Sequence, residues 1–216
     1  MRTKEESIEY MEKTFDINEY VAPLRTNFKA WLDELHEELI QQADKVKRIT
    51  GGLLAADRIY TVAKGRSELI TEFSGIRLMH EGYTVHGAGD KYTPAMGNDS
   101  RYSDAVYFVS GSGKTTHVIT TLKTARSKHV PIYGVCSDAD SEAVWLAGEQ
   151  NVIITKGKKI YPAGESAPPE ITVPVNFLQT KSEIKANYVN ELLVNCIAKM
   201  KDIKEKEMKQ RHSNTE

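Results

Sequence analysis

The stretch of residues 103–116 constrains the fold of this chain more than any other stretch. Its apolar segment, residues 105–109, is rich in β-branched and aromatic side chains, which is typical of a buried strand. A Ser-Gly-Ser-Gly turn follows at residues 110–113, and a helical pattern begins at Lys114. Glycines allow close backbone approach, hydroxyls supply donors, and a helix N-terminus favours negative charge. The stretch therefore predicts a strand, a turn and a helix that together bind phosphate.

Two other interpretations of the same turn remain open. Gly113-Lys114-Thr115 matches the end of a Walker A nucleotide-binding loop, G-x-x-x-x-G-K-[ST]. That pattern requires an earlier glycine at the position where this chain has Phe108, which lies within the predicted strand. The loop is therefore too short to wrap a triphosphate. The second alternative is an ordinary strand-to-helix turn that binds no ligand.

Strands and helices alternate on both sides of this stretch. Strands are also predicted at residues 58–63, 83–86, 131–135 and 151–155, with helices at 68–80, 114–127 and 141–147. Such alternation predicts right-handed βαβ units and a parallel sheet with helices on both faces. Ligands bind beyond the carboxyl ends of the strands in sheets of this kind. Both Gly65-Arg66-Ser67 and the Ser-Gly-Ser-Gly turn lie at such an end.

Helices are predicted at both ends of the chain. Residues 7–47 carry apolar side chains at helical spacing, with Pro23 separating a first helix from a second. Gly51-Gly52 is predicted to end this helical region. A last helix is predicted from residue 181 to about residue 211, and its charged end is typical of a solvated face.

Two segments rich in glycine or proline are predicted to be loops. Residues 87–101 exceed the usual connection of about 4–6 residues, which indicates a role over a site. Residues 156–178 contain one short β-like run at 171–175. We therefore predict an N-terminal helical segment at residues 1–50 and a single α/β domain at residues 51–216.

Composition limits the classes of partner. The chain has 29 Lys and Arg against 30 Asp and Glu, so no global positive field attracts nucleic acid or an anionic membrane. No apolar run approaches the roughly 18–20 residues that span a bilayer, and the charged N-terminus has no signal-peptide core. Cys136 and Cys196 match no metal or redox spacing, which indicates free thiols in a reducing compartment. We expect a cytoplasmic protein that binds neither nucleic acid nor membranes.

Several motifs resemble, in order and spacing, those of the sugar isomerase (SIS) domain family and, within it, the phosphohexuloisomerases. The matching stretches are Gly65-Arg66-Ser67, Arg77-Leu78-Met79-His80 with Gly82, Thr93-Pro94, the Ser-Gly-Ser-Gly turn with Thr115, and Arg211-His212-Ser213-Asn214. The turn is common to SIS domains, whereas the R-L-M-H run and the R-H-x-N tail point to phosphohexuloisomerases. The resemblance implies an SIS-type, flavodoxin-like three-layer sandwich with a five-stranded parallel sheet and helices on both faces.

The resemblance also implies an activity and its residues. Phosphohexuloisomerases convert hexulose 6-phosphate to fructose 6-phosphate in the ribulose monophosphate pathway, use no metal or organic cofactor, and assemble as dimers or tetramers with shared sites. The residues implied to bind the substrate phosphate are Gly65, Arg66, Ser67, Ser110, Gly111, Ser112, Lys114 and Thr115. Thr93 would line the site, and His80 and His212 would be contributed across subunit contacts.

Isomerisation through an enediol requires a base that moves a proton between adjacent carbons. The family usually has a glutamate before the last helix, and alignment on residues 176–178 puts Lys185 at that position, with Glu183 two positions away. The predicted catalytic residues are Glu183, His80 and His212, with Glu191 as a further candidate. Glu183 also suits a first helical turn, and His80 also suits a last turn whose carbonyls it would bind.

Two further departures from the family pattern leave two functions open. Ala63-Lys64 replaces the first glycine of the usual G-x-G-R-S and its neighbour, and Lys114 replaces the glutamate of S-G-S-G-E-T. The first function is a phosphosugar isomerase, which the R-L-M-H run and the tail favour. The second is a regulatory protein that binds a sugar phosphate without turning it over, which Lys114 and Lys185 favour.

Overall fold

The computed structural model describes residues 3–14, 16–89, 92–97, 99–156 and 177–201. The chain forms two compact units, Met1–Glu34 and Leu35–Glu216. None of the helices in these described ranges combines the length and the apolar character needed to cross a membrane.

The first unit contains helix α1 (Lys4–Thr14) and most of helix α2 (Ile17–Gln41). Thr3 and Glu6 form a capping box at the start of α1, where each side chain accepts a hydrogen bond from the other residue's backbone N–H. The backbone N–H of Asn18 donates to Asp16 Oδ1 over 2.9 Å at the start of α2. The prediction that Pro23 separates two helices was wrong, because α2 continues through Pro23. The helix begins earlier, where Asp16 supplies the acceptor that a helix N-terminus needs.

A five-stranded parallel sheet forms the centre of the second unit. Its strands are β1 (Arg58–Val62), β2 (Thr84–Gly87), β3 (Asp104–Ser110), β4 (Ile132–Cys136) and β5 (Val152–Ile154). They lie in the order β2-β1-β3-β4-β5, which is the order of flavodoxin-like folds. Every residue of β1 and β3 is buried, as expected when helices cover both faces of a sheet.

Helices pack on the two faces of this sheet and form two cores. The helices are α3 (Ala43–Leu54), α4 (Arg66–His80), α5 (Thr116–Ser127), α6 (Glu142–Ala147) and α7 (Phe177–Met200). Ile59 and Tyr107 belong to the core beneath α3, α4 and α7, whereas Tyr60 and Phe108 belong to the core beneath α5 and α6. Adjacent strand residues therefore face opposite layers. The predicted α/β three-layer sandwich is confirmed.

Several predicted helix boundaries differ from the structure, including the end of α3 and the start of α7. Helix α3 continues through Gly51-Gly52 to Leu54, so the prediction that the glycines end it was wrong. A Cβ atom on Gly52 would lie 2.1 Å from the Tyr133 ring, so glycine is required here for close packing against β4. Helix α7 begins before residue 181, at Phe177. The β-like run at 171–175 and the predicted helix beyond residue 201 lie outside the described residues.

Candidate functional site

A cavity of about 210 Å³ opens at the carboxyl ends of β1 and β3. Strand β2 is the neighbour of β1 on one side and β3 is its neighbour on the other, so the strand order reverses between β1 and β3. Flavodoxin-like sheets bind ligands at this position. Hydroxyl side chains line the cavity, and they belong to Ser67, Ser110, Ser112, Thr115 and Ser182. The lining also includes the charged side chains of Lys64, Arg66 and Glu183, together with Val109 and Gly111.

The Ser-Gly-Ser-Gly turn after β3 is held by its own side chains. The backbone N–H of Gly113 donates to Ser110 Oγ over 2.9 Å, and that of Lys114 donates to Ser112 Oγ over 3.3 Å. Gly113 has a φ of +59°, which favours glycine. Its carbonyl accepts a hydrogen bond from the Ala143 N–H over 3.1 Å, which ties the turn to α6.

Two helices begin beside the cavity. Gly65, with a φ of +68°, is the N-cap of α4, and Thr115 is the N-cap of α5. The unpaired N–H groups and the dipole at a helix N-terminus attract anions. Arg66 and Lys64 add side-chain positive charge at the α4 end. The arrangement suits an anion that carries several acceptor oxygens.

Glu183 is the acidic group in this cavity. Its carboxylate accepts a hydrogen bond from Ser182 Oγ over 3.3 Å, and Arg66 Nε lies 3.4 Å from its Oε1. The Glu183 side chain is 17% exposed, whereas that of Arg66 is 52% exposed. The start of α7 therefore holds a proton acceptor among hydroxyl donors and a guanidinium group. Such a set can move a proton and stabilise an oxyanion.

A small adjoining cavity, about 10 Å³, shares the hydroxyls of Ser67, Ser110 and Ser182 and adds those of Ser137 and Thr155. Ser137 Oγ and Thr155 Oγ1 lie 3.4 Å apart. These two residues and Ser182 are not among the site residues predicted from the sequence. Ser137 and Thr155 directly follow β4 and β5, so the rule on strand carboxyl ends could have found them. Ser182 lies within α7 and follows no strand, so this rule could not have found it.

Several predicted residues lie away from the cavity. Thr93 donates to the Gly87 carbonyl over 2.7 Å, and Lys114 Nζ lies 3.0 Å from Asp138 Oδ2. His80 is the last residue of α4, about 21 Å along the helix from Arg66 at the usual rise of about 1.5 Å per residue. His212 lies outside the described residues.

Two candidate positions for the base also lie elsewhere on α7. Glu191 is eight residues, about 12 Å, further along the helix than Glu183, and Arg77 Nε lies 3.4 Å from its Oε1. Lys185 is buried, and its Nζ contacts Glu38 on α2. Among the carboxylates and histidines that we predicted as catalytic, Glu183 is the one that the described structure brings to the cavity.

Cys136 ends β4 close to the turn, and its side chain is buried. Its Sγ lies 3.5 Å from Ser141 Oγ and 3.4 Å from the Asp138 carbonyl oxygen. Burial raises the pKa of the thiol, so the unreactive protonated form prevails at neutral pH. Cys136 and Cys196 are free cysteines.

Relatives of known sequence match most of the second unit. A family model described as the SIS domain matches residues 52–168. An uncharacterized protein of Archaeoglobus fulgidus is 31% identical over 159 residues, which cover 74% of this chain and 81% of the relative. The 3-hexulose-6-phosphate isomerase of Mycobacterium gastri is 33% identical over 133 residues, which cover 59% of this chain and 64% of that relative.

Solved structures with the same fold include a NanR protein and a domain of a transcription factor. The NanR protein of Vibrio vulnificus, solved as a complex with ManNAc-6P, aligns with a TM-score of 0.60 at 19% identity and covers 96% of this chain and 70% of that chain. The sugar isomerase domain of the RpiR transcription factor from Sphaerobacter thermophilus aligns with a TM-score of 0.63 at 19% identity and covers 89% of this chain and 97% of that domain. At these identities the likeness demonstrates a shared fold.

Proposed function

The chain belongs to the SIS domain family, and on that premise we propose that it is a phosphosugar isomerase. The reaction we propose is the interconversion of hexulose 6-phosphate and fructose 6-phosphate through an enediol. One observation carries the proposal: the Glu183 carboxylate lines the same cavity as the Ser-Gly-Ser-Gly turn. The relative from Mycobacterium gastri named 3-hexulose-6-phosphate isomerase supports this choice of substrate.

The substrate phosphate binds between the N-termini of α4 and α5 in this proposal. Ser110, Ser112 and Thr115 surround it from one side and Ser67 from the other, because all four hydroxyls line the cavity. Arg66 lies at the mouth of the site, where its exposed side chain can reach a phosphate oxygen. Gly65 and Gly111 let the backbone approach the anion closely. Lys114 contributes positive charge near the phosphate without contacting it, because its side chain pairs with Asp138.

Glu183 is the proposed base. It removes a proton from a carbon next to the substrate carbonyl and returns it to the neighbouring carbon, while the enediol forms and collapses. Substrate phosphate competes with Glu183 for Arg66, so phosphate binding releases the carboxylate from its ion pair. Ser182 donates to Glu183 in the structure and keeps the carboxylate oriented toward the cavity.

We propose that the active form is a homodimer or homotetramer and that His80 and His212 reach the site of a second copy. His80 lies at the far end of α4 from Arg66, so within one chain it cannot contact the same substrate. Mixing two inactive variants, His80→Ala and Ser112→Ala, is expected to restore part of the activity in mixed oligomers. Failure to restore any activity in oligomers verified to be mixed would contradict a shared site.

A second candidate function is regulatory binding of a sugar phosphate without turnover. The RpiR transcription factor supports it, because its sugar isomerase domain shares this fold. The ion pair between Arg66 and Glu183 also suits it, because a ligand that displaces Glu183 would change the surface at the mouth of the cavity. This protein would bind sugar phosphates and show no isomerase activity.

An assay of the purified protein separates the two functions. Hexulose 6-phosphate is supplied and the formation of fructose 6-phosphate is measured for wild type, Ser112→Ala, Glu183→Gln and Glu191→Gln. Thermal stabilisation by sugar phosphates is recorded for the same proteins. Glu191→Gln is the matched control, since it removes a carboxylate from the same helix outside the cavity.

Turnover that is lost in Glu183→Gln, while sugar phosphates still stabilise this variant, would support the isomerase. Turnover lost in Glu191→Gln instead would move the base to the other carboxylate. No turnover in wild type, with stabilisation that Ser112→Ala abolishes, would leave the regulatory function. Absence of both turnover and stabilisation would contradict both functions and leave the turn as a structural feature.

A further inference from the structure

A buried ion pair joins Glu38 of α2 to Lys185 of α7. Lys185 Nζ lies 3.0 Å from both Oε1 and Oε2 of Glu38. The Lys185 side chain is 0% exposed and that of Glu38 is 8% exposed. Transfer of two charges out of water is costly, so a buried pair adds little net stability over apolar side chains of similar volume. Its geometry indicates a positioning role.

The pair holds both backbone groups of Lys156, just after β5. Lys185 Nζ donates to the Lys156 carbonyl over 2.9 Å, and the Lys156 N–H donates to Glu38 Oε1 over 3.2 Å. Thr155, the preceding residue, lines the small adjoining cavity together with Ser182 and Glu183. The ion pair therefore joins the carboxyl end of an edge strand to the first turns of α7.

Helix geometry connects this pair to the cavity. Lys185 follows Glu183 by two residues, which is a rotation of about 200° around a helix. When Lys185 is fixed on Glu38, Glu183 must face the other side, where it lines the cavity. We propose that the Glu38–Lys185 pair is a positioning element that holds Glu183 at the site. The kinetic part of this inference rests on the proposed function, in which Glu183 is the base.

Gln42 offers a matched control, because its side chain also binds the end of β5. It lies one helical turn after Glu38, and its side chain binds both backbone groups of Ile154: Nε2 donates to the carbonyl and Oε1 accepts from the N–H, each over 2.8 Å. Gln42→Ala therefore loosens the attachment of β5 and leaves the Glu38–Lys185 pair in place. A role in strand stability alone predicts similar effects for Gln42→Ala and Lys185→Met.

Steady-state kinetics with hexulose 6-phosphate test the positioning role. Lys185→Met is expected to lower kcat roughly 10- to 100-fold, because a misplaced base reacts slowly. KM is expected to change little, since the phosphate-binding hydroxyls and helix N-termini remain. Gln42→Ala is expected to keep the wild-type kcat. An equal fall of kcat in both variants, or a change confined to KM, would overturn the proposal.

Lys185→Met leaves Glu38 buried without its cation, which strongly destabilises the fold. The double variant Glu38→Gln with Lys185→Met removes both charges and keeps an acceptor for the Lys156 N–H. The same fall of kcat is expected in this variant. Wild-type kcat in a folded double variant would overturn the proposal.

Hydrogen exchange supplies a measurement that needs no turnover. Amides of residues 181–190 are expected to exchange faster in Lys185→Met, or in the double variant, than in Gln42→Ala or wild type. A wild-type protein without activity would contradict the proposed function, and the exchange rates would still test the positioning of α7. Unchanged exchange over residues 181–190 would overturn the inference whatever the activity.

Discussion

Gly113 adopts a φ of +59° in the turn after β3, where a side chain is excluded for two separate reasons. A left-handed backbone costs a non-glycine residue about 1–2 kcal/mol. A Cβ atom there would also lie 2.0 Å from Ser141 Oγ, so the turn or α6 would have to shift. Gly113→Ala is expected to lower the free energy of unfolding by about 2–5 kcal/mol, as measured by urea denaturation.

Two other glycines separate these effects. Gly65 has a φ of +68° and a ψ of −135°, a backbone conformation that glycine adopts far more readily than other residues, and no atom lies within 4 Å of a built Cβ. Gly65→Ala is therefore expected to show a backbone cost of about 1–3 kcal/mol alone. Gly51 lies inside α3 with equally open space, so Gly51→Ala is expected to stabilise the protein by about 0.5–1 kcal/mol. Equal losses for Gly113→Ala and Gly65→Ala would show that the contact with Ser141 has no energetic weight.

Ser110 and Ser112 have different expected roles in the same turn. Ser110 is buried and accepts the hydrogen bond of the Gly113 N–H, so Ser110→Ala leaves a buried donor unsatisfied at a cost of about 1–3 kcal/mol. Ser112 is more exposed, so Ser112→Ala is expected to change stability by less than about 0.5 kcal/mol. Denaturation together with sugar phosphate titration checks this: Ser112→Ala should lose affinity without losing stability. Equal destabilisation by both would contradict the division.

A buried polar network fixes helix α7 to the sheet and to α4. The Tyr107 hydroxyl of β3 donates to Asn190 Oδ1, and Asn190 Nδ2 donates to Ser74 Oγ of α4. Asn190 is 2% exposed, so truncation of its side chain leaves polar groups in the core without hydrogen-bond partners. Asn190→Ala is expected to destabilise the protein by about 2–4 kcal/mol, with a lower urea midpoint at an unchanged m-value.

Asn195 is the control on the same helix. It is exposed and binds only its own helix among the contacts of the described residues, with Nδ2 donating to the Glu191 carbonyl over 2.7 Å. Asn195→Ala is expected to change stability by less than about 0.5 kcal/mol. A loss in Asn190→Ala no larger than in Asn195→Ala would exclude the network as the attachment of α7.

The sequence predicted elements well where local pattern and burial agree. Residues 105–109 are apolar without alternation, and β3 is buried on both faces, so the pattern identified the central strand. Pro23 and Gly51-Gly52 were wrongly predicted to end helices. Helix α2 tolerates the missing N–H of Pro23, and Gly52 lies inside α3 because its contact with Tyr133 leaves no room for a side chain. Tertiary contacts of this kind leave no local signal.

The candidate site was predictable in part for the same reason. Ser110 and Ser112 lie at the carboxyl end of β3 and Arg66 lies just beyond that of β1, so the parallel sheet brings them together by topology alone. The direction of Glu183 was not predictable, because it depends on the rotation of α7, which begins 21 residues after Lys156 at Phe177. The partner of Lys185 is Glu38, 147 residues earlier in the chain, and pattern analysis cannot pair such positions.

Across the whole molecule, buried tyrosines link stability to alkaline pH. Burial raises the pKa of Tyr60, Tyr107 and Tyr133 above the ordinary value. Burial, with a smaller contribution from the charge of Glu81, raises the pKa of Tyr83 to about 12. The folded state therefore keeps these protons to higher pH than the unfolded state. Their contribution to stability is fully present below about pH 10 and decreases as pH rises above it, and for Tyr83 the decrease extends to about pH 12.

Tyr83 allows this linkage to be measured at one position. Its hydroxyl has no hydrogen-bond partner among the described residues, and Lys201 Nζ lies 3.6 Å from the centre of its ring. Tyr83→Phe keeps the ring and its cation–π contact and removes the ionisable proton. We expect the variant to match wild type at pH 7 and to exceed it in stability at pH 11, where urea denaturation compares the two.

Tyr92 provides the comparison that separates burial from chemistry. It is 94% exposed, so Tyr92→Phe removes a tyrosine hydroxyl outside the core, and we expect this variant to follow the stability of wild type at both pH 7 and pH 11. If Tyr83→Phe and wild type lost stability in parallel as pH rises, the proton of Tyr83 would bind equally in the two states. The alkaline loss would then come from other groups, and the burial of Tyr83 would have no bearing on it.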